Sequence, residues 1–246
     1  MKGYWFASQS FYYGLSEHIT LSAQIGWFQS NLFTHSINQD VITDVNSSAH
    51  GLSDADIRAT WQVLERSKFS MALMGGVELP TGAQNVEING ISSAVGSGSY
   101  DPIGGIILQE KNGRHSFRLY SQYKLTTTNK DDKNFGDFWA SDLTYDITLG
   151  KMACIAPDSA SKKVMTKYDL FGGVSHEWMQ TESENGYTVA NSGGTRLFGM
   201  AGVRLSLNER FFIPVSLELP LYENLKGVQN KSSWRIRAGV SILLKK

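Results

Sequence analysis

Twelve charged residues are spaced so that they share polar rows along extended segments: Asp54, Asp56, Arg58, Glu78, Arg118, Lys124, Asp142, Asp146, Arg204, Glu218, Arg235 and Arg237. Apolar residues fill the alternate positions. Ile57, Ala59, Trp61 and Val63 interleave with Asp56, Arg58 and Gln62, and Leu143, Tyr145, Ile147 and Leu149 interleave with Asp142 and Asp146. A strand sends residues i and i+2 to the same side, so one face carries both signs of charge and the other is apolar. Such a polar row supports two kinds of chemistry. It fills an interior as a salt-bridged network, because isolated charges away from water are costly, or it lines a pore whose charges select solutes. The expectation is a pore lined by these twelve residues.

Catalysis has less support. There is no GxSxG elbow, and His18, His35, His50, His115 and His176 form neither HxH nor HExxH, so the expectation is no catalytic set, no metal and no cofactor. "GSGSYDPIGG" (96–105) lacks both GxGxxG and the P-loop lysine, and reads as loop and strand flexibility. "LPTG" (79–82) reads as a strand stopped by Pro80 with a turn at Gly82. His176 shares an apolar row with Val174 and Trp178, where a lipid-modifying enzyme would place a general base beside a serine. No neighbouring acid and serine can be assigned to it, so an interfacial histidine is expected. Cys154, the lone cysteine, excludes an intrachain disulfide and a thiolate cluster and reads as a small apolar filler.

The elements that would position these rows are strands. In "NERFFIPVSLELPLYEN" (208–224), Phe211, Ile213, Val215, Leu217, Leu219 and Leu221 alternate with a row holding Ser216 and Glu218. Similar segments recur, and no window shows a sustained helical stripe, so the expectation is an all-β antiparallel chain of about eleven strands. The spans are 3–14, 17–29, 53–65, 68–79, 99–111, 114–127, 137–150, 166–178, 195–206, 210–222 and 233–244. They are long against a usual ~5–6 residues and match the ~9–11 tilted residues that cross a bilayer. Tight joints near 16, 66, 112 and 208 alternate with long polar connections at 30–52, 80–98, 128–136, 179–194 and 223–232; the segment 151–165 is long where the rhythm wants a short turn. Outer-membrane barrels alternate short periplasmic turns with long external loops. Trp27, Trp139, Trp178 and Trp234 fall beside the long loops, and Tyr13, Phe69, Phe117, Tyr168 and Phe211 near the short turns, as two interfacial aromatic belts would. Pro214 and Pro220 sit awkwardly in a closed sheet, and a bulge at Pro214 is expected.

Composition bounds the partners. Lys+Arg 23 against Asp+Glu 23, with no long basic run, gives no footprint for nucleic acid. No run approaches the ~18 apolar residues of a spanning helix. The N-terminal stretch "MKGYWFASQSFYYGLSEHITL" shows no signal-peptide pattern. Short turns on the periplasmic side and an even strand number then predict about twelve strands in the full-length protein, with the first strand and a signal peptide preceding Met1. One domain over 1–246 is expected.

The stretches "YYGLSEHITLSAQIGW" (12–27), "GLSDADIRATWQVLE" (51–65), "GGVELPTG" (75–82) and "GSGSYDPIGGI" (96–106) occur in the order found in the outer-membrane "transporter" family named after the MetA pathway of phenol degradation, which this chain resembles over roughly residues 4–150. The resemblance implies a channel-forming barrel in a Gram-negative outer membrane and a small solute, aromatic or hydrophobic. The final "RAGVSILLKK" resembles the signal read by the barrel-assembly machinery, with Arg237, Gly239, Ile242 and Leu244, but lacks a terminal aromatic and ends in two lysines. The expected partners are outer-membrane lipids, the assembly machinery and a small-molecule solute. The alternatives are a lipid-modifying barrel enzyme, marked by a Ser or Asn side chain meeting His176, and a soluble lipocalin-like binder of about eight strands around a dry cup.

Overall fold

The computed structural model describes residues 4–38, 41–82, 86–88, 91–93, 95–154, 164–207 and 210–243, with side chains omitted at 4, 30–49, 86–93, 151–154 and 164–165. The segment 155–163 and the side chain of Cys154 therefore lie outside the described residues. Strands β1 (Tyr4–Gly14), β2 (Ile19–Asn38), β3 (Val41–Leu52), β4 (Ala55–Glu65), β5 (Phe69–Leu79), β6 (Val86–Ile88), β7 (Ile91–Ser93), β8 (Asp101–Asn112) and β9 (His115–Lys124) form the first part of the chain. After them come β10 (Lys133–Asn134), β11 (Phe138–Cys154), β12 (Val164–Met179), β13 (Ser183–Glu184), β14 (Tyr187–Thr188), β15 (Gly194–Leu207), β16 (Phe211–Leu225), β17 (Arg235–Ala238) and β18 (Ser241–Ile242).

Thirteen of these strands form one antiparallel meander in the order β1-β2-β4-β5-β8-β9-β11-β12-β15-β16-β17, with β3 on β2 and β18 on β16. Since β3 runs on into β4 and β18 continues β17, eleven positions remain, the number the sequence predicts. Among the described residues no ladder joins β1 to β17 or β18, so these strands do not by themselves close the sheet.

The sheet is inside out relative to a water-soluble one. Among the described residues only Met74, Ile103 and Phe198 are buried large apolar side chains, against eleven buried polar or charged residues that include Asp101, Thr144, Asp169, Ser175, Ser206 and Glu218. Leu143 and Val203 are about half exposed, at 50% and 51%, as are Leu217 and Ile236 at 46% and 61%. Hydrophobic burial normally drives folding in water; here the apolar row is turned outward along its whole length.

Turn chemistry fits the short joints. Gly113, at φ 62°, opens the two-residue loop between the paired Asn112 and His115, as a type II′ hairpin requires. The long connections depart from expectation. Residues 30–52, read as a polar loop, continue β2 and β3 as a hairpin arm paired from Trp27 with Leu52 to Asn38 with Val41. Its sequence alternates no apolar row with a polar one, but ladder hydrogen bonds do not need that signal. Connections 125–137 and 180–193 fold onto each other through the small sheet β10-β13-β14, closed by Asn185 and Gly186 at φ 53° and 77°, the Asn-Gly signature of a type I′ hairpin.

The prolines are accommodated differently from the sequence reading. The ladder shifts between Leu197 and Phe198, which pair with Tyr222 and Pro220, so the bulge lies beside Pro220 and not at Pro214. Pro214 stays in register with Arg204. Its carbonyl accepts from Gly239 N at 3.1 Å, so its missing N–H faces the break between β17 and β18, where no ladder bond is lost.

Candidate functional site

Two cavities occupy the polar side of the sheet. The larger, about 810 Å³, takes residues from β8 (Ile107) through β9, β11, β12, β15 and β16 to β17 (Arg237). The smaller, about 170 Å³, takes residues from β1 (Ser10, Tyr12) through to β9 (Tyr120). Ile107 and Tyr120 line both. The sheet therefore curls around two adjoining spaces with its charged rows toward them.

Arg58 crosses at the partition. From β4 it donates to Gln122 Oε1 at 2.9 Å and Tyr120 Oη at 3.3 Å on β9, past β5 and β8, while pairing with Asp56 at 2.6 Å. Tyr120 in turn donates to Gln122 Oε1 at 2.6 Å. The crossing needs glycine beneath it: a Cβ on Gly76 would lie 2.8 Å from Arg58 Cγ, and one on Gly105 2.8 Å from Met74 Cε. Gly104 and Gly105, read from sequence as flexibility, lie inside regular β8, and Gly105 serves close packing. Pro80 follows the end of β5 as expected.

Most of the other charges are locked in pairs. Lys124 meets Glu78 at 2.8 Å, and Arg204 meets Asp146 at 3.1 Å. Glu218, fully buried, lies 2.6 Å from Arg237 Nε and 3.1 Å from Arg235 Nε. Arg235 also reaches Glu177 at 2.7 Å and stacks 3.5 Å above the Phe198 ring centroid. Asp54 is turned to a different task, accepting from Gly82 N at 2.7 Å and from Ser97 N and Oγ, which fastens the connection after β5. Arg118 and Asp142 line the larger cavity and, among the described residues, make neither an ion pair nor a hydrogen bond. The twelve residues thus divide into seven in the wall of one or other cavity (Asp56, Arg58, Arg118, Asp142, Arg204, Glu218 and Arg237); Glu78, Lys124, Asp146 and Arg235 brace the sheet, and Asp54 ties a loop.

Sequence reasoning passed over Tyr120, Thr144, Glu177 and Phe198. All four share strand parity with charged residues that were singled out or flank them, as Tyr120 does with Arg118 and Phe198 with Arg204. Parity alone marks them, but counting only charges hides a tyrosine, a threonine or a phenylalanine. Outside, Trp139 stands opposite both Trp178 and Tyr123, while Trp27, Trp139 and Trp234 are 39%, 44% and 52% exposed. Tyr13, Phe117, Tyr168 and Phe211 are exposed near the short turns. His176 packs edge-on against Trp139 with ring centroids 5.1 Å apart. Ser141 stands opposite it in the ladder, but its hydroxyl bonds Ser121 Oγ at 2.7 Å. No serine or asparagine side chain meets the imidazole among the described residues.

No family model and no curated protein matches the chain. Its fold is similar to the crystal structure of an outer membrane channel from Pseudomonas putida F1, with a TM-score of 0.63 and 11% sequence identity over 97% of this chain and 82% of that one. The fold class is thus an antiparallel outer-membrane-type β-barrel sheet.

Proposed function

We propose that this protein is an outer-membrane β-barrel channel that lets a small solute pass without energy input, in the envelope of a Gram-negative cell. The observation that carries the reading is the inverted burial: glutamate and aspartate lie buried on the cavity side, while leucine, valine and isoleucine face outward. An apolar exterior needs lipid, and a charged interior that encloses space needs water or solute. Similarity in fold to an outer membrane channel supports the same reading.

Strand β12 supports the depth. Trp178 and Tyr168 lie ten residues apart on its outer row, roughly 33 Å along the strand. A tilt of about 40° reduces this to roughly 25 Å, the height of the apolar band in such barrels. The charged and hydroxylated lining favours polar solutes over the aromatic or hydrophobic ones that the family resemblance implies. The Ser141–Ser121 hydrogen bond speaks against a catalytic His176. The test is incorporation of the purified full-length protein into planar bilayers: discrete conductance steps, with heat-modifiable gel mobility and recovery in the outer-membrane fraction, are expected. A folded barrel that passes neither ions nor radiolabelled small solutes refutes the channel.

A further inference from the structure

We propose that the larger cavity is a binding site for a zwitterionic solute, its ammonium held by Asp142 and its carboxylate by Arg118; the inference deepens the channel reading and rests on it. The charges in this wall are nearly exhausted by their own neighbours. Lys167 pairs with Asp169 at 3.1 Å, Arg204 with Asp146 at 3.1 Å and Arg237 with Glu218 at 2.6 Å. Arg118 and Asp142 remain, one cation and one anion, both in the cavity wall and neither with an ion pair or a hydrogen bond among the described residues.

Their placement is set by register. Arg118 on β9 stands opposite Thr144 on β11, and Asp142 stands opposite Tyr120. The two charges are therefore diagonal neighbours on adjacent strands, about 7–8 Å apart at the backbone. Beside both lies Thr144, opposite Arg118 and two residues from Asp142 on β11, only 4% exposed, whose hydroxyl has no hydrogen-bond partner among the described residues. A buried hydroxyl left without a partner is costly, and this one adjoins both charges. Both charges lie on the wall of a space of about 810 Å³, within the usual size of small-molecule sites. A solute with one charge balances one side chain and leaves the other unbalanced, and a sugar hydrogen-bonds to either but balances neither charge. A molecule with an amine and a carboxylate a few bonds apart satisfies both.

γ-Aminobutyrate, butyrate, butylammonium and glycerol are suitable probes, applied to the full-length protein in planar bilayers and, independently of conduction, by calorimetry in detergent. γ-Aminobutyrate is expected to reduce ion current saturably and to bind more tightly than either singly charged analogue. Asp142→Asn, which is isosteric, and Arg118→Gln, which is shorter but still polar, should each weaken that binding about tenfold, as loss of one charge-assisted hydrogen bond implies. Equal affinity for zwitterion and singly charged analogues, or binding unchanged in both folded variants, overturns the site and leaves the channel standing. Zwitterion binding lost in the variants, from a protein that conducts nothing, keeps the site and removes the channel.

Discussion

Around Glu218 the shortest contact and the strongest one are not the same. Arg237 comes closer, at 2.6 Å against 3.1 Å for Arg235, but the Arg237 side chain is 48% exposed and that of Arg235 18%. Solvent screening holds a half-exposed pair to about 1 kcal/mol or less, whereas removing one partner of a buried pair costs about 3–5 kcal/mol. Arg235 also holds Glu177 and covers Phe198. Arg235→Met should therefore lower the unfolding free energy in lipid vesicles by about 3 kcal/mol, and Arg237→Met by about 1 kcal/mol or less; equal losses in urea titrations would show that burial is not what ranks them. The same contrast separates structure from permeation. Arg118→Glu, at an unpaired cavity position, should shift the reversal potential toward cation preference in a folded barrel. Arg235→Glu should instead lower the yield of folded protein, because it places a third carboxylate beside Glu177 and Glu218.

On the scale of a strand, the two faces of β5 demand different things of adjacent glycines. A Cβ on Gly75 meets nothing within 4 Å, while one on Gly76 would fall 2.4 Å from Ile57 O as well as against Arg58. Gly75→Ala should be neutral or slightly stabilising, and Gly76→Ala should cost about 1–3 kcal/mol, as overpacking does; thermal unfolding of the matched pair measures the difference. Here the limits of the sequence are visible. Period-two alternation made the faces legible in β9, β11 and β16, because one medium is apolar and the other is not. It could not reveal the arm of β2 and β3, whose sequence has no alternating apolar row, nor the bulge beside Pro220. Which side chains lie toward the cavities followed from parity, but which charge meets which did not. Glu177 finds Arg235 across β15 and β16 only through strand stagger and sheet curl, and neither leaves a trace along the chain. The paired glycines at 75–76 and 104–105 were the one local sign of side chains lying across neighbouring strands.

Taken whole, the molecule turns an apolar exterior outward, and the channel reading places lipid against it. Leu217 lies midway along β16, 46% exposed, between Ala201 and Ile236 on the flanking strands. Phe211 lies on the same outward row at the end near the short turn, 40% exposed. In water an exposed leucine exchanged for arginine changes stability within about 0.5 kcal/mol wherever it lies along the strand. In a bilayer the cost depends on depth, about 2–4 kcal/mol for arginine at the midplane of a barrel's lipid face and about 0–1 kcal/mol at the interface. Leu217→Arg should therefore destabilise the protein in phospholipid vesicles several times more than Phe211→Arg does, even though the leucine makes the smaller side-chain loss. Aromatic truncation alone would rank the two the other way. The proposed membrane placement reverses the order, because it puts the ring at Phe211 where headgroups and water solvate a guanidinium and puts Leu217 in the apolar band. Urea unfolding of both variants in vesicles measures it, and comparable costs at the two positions would mean that the apolar face packs against protein instead of lipid.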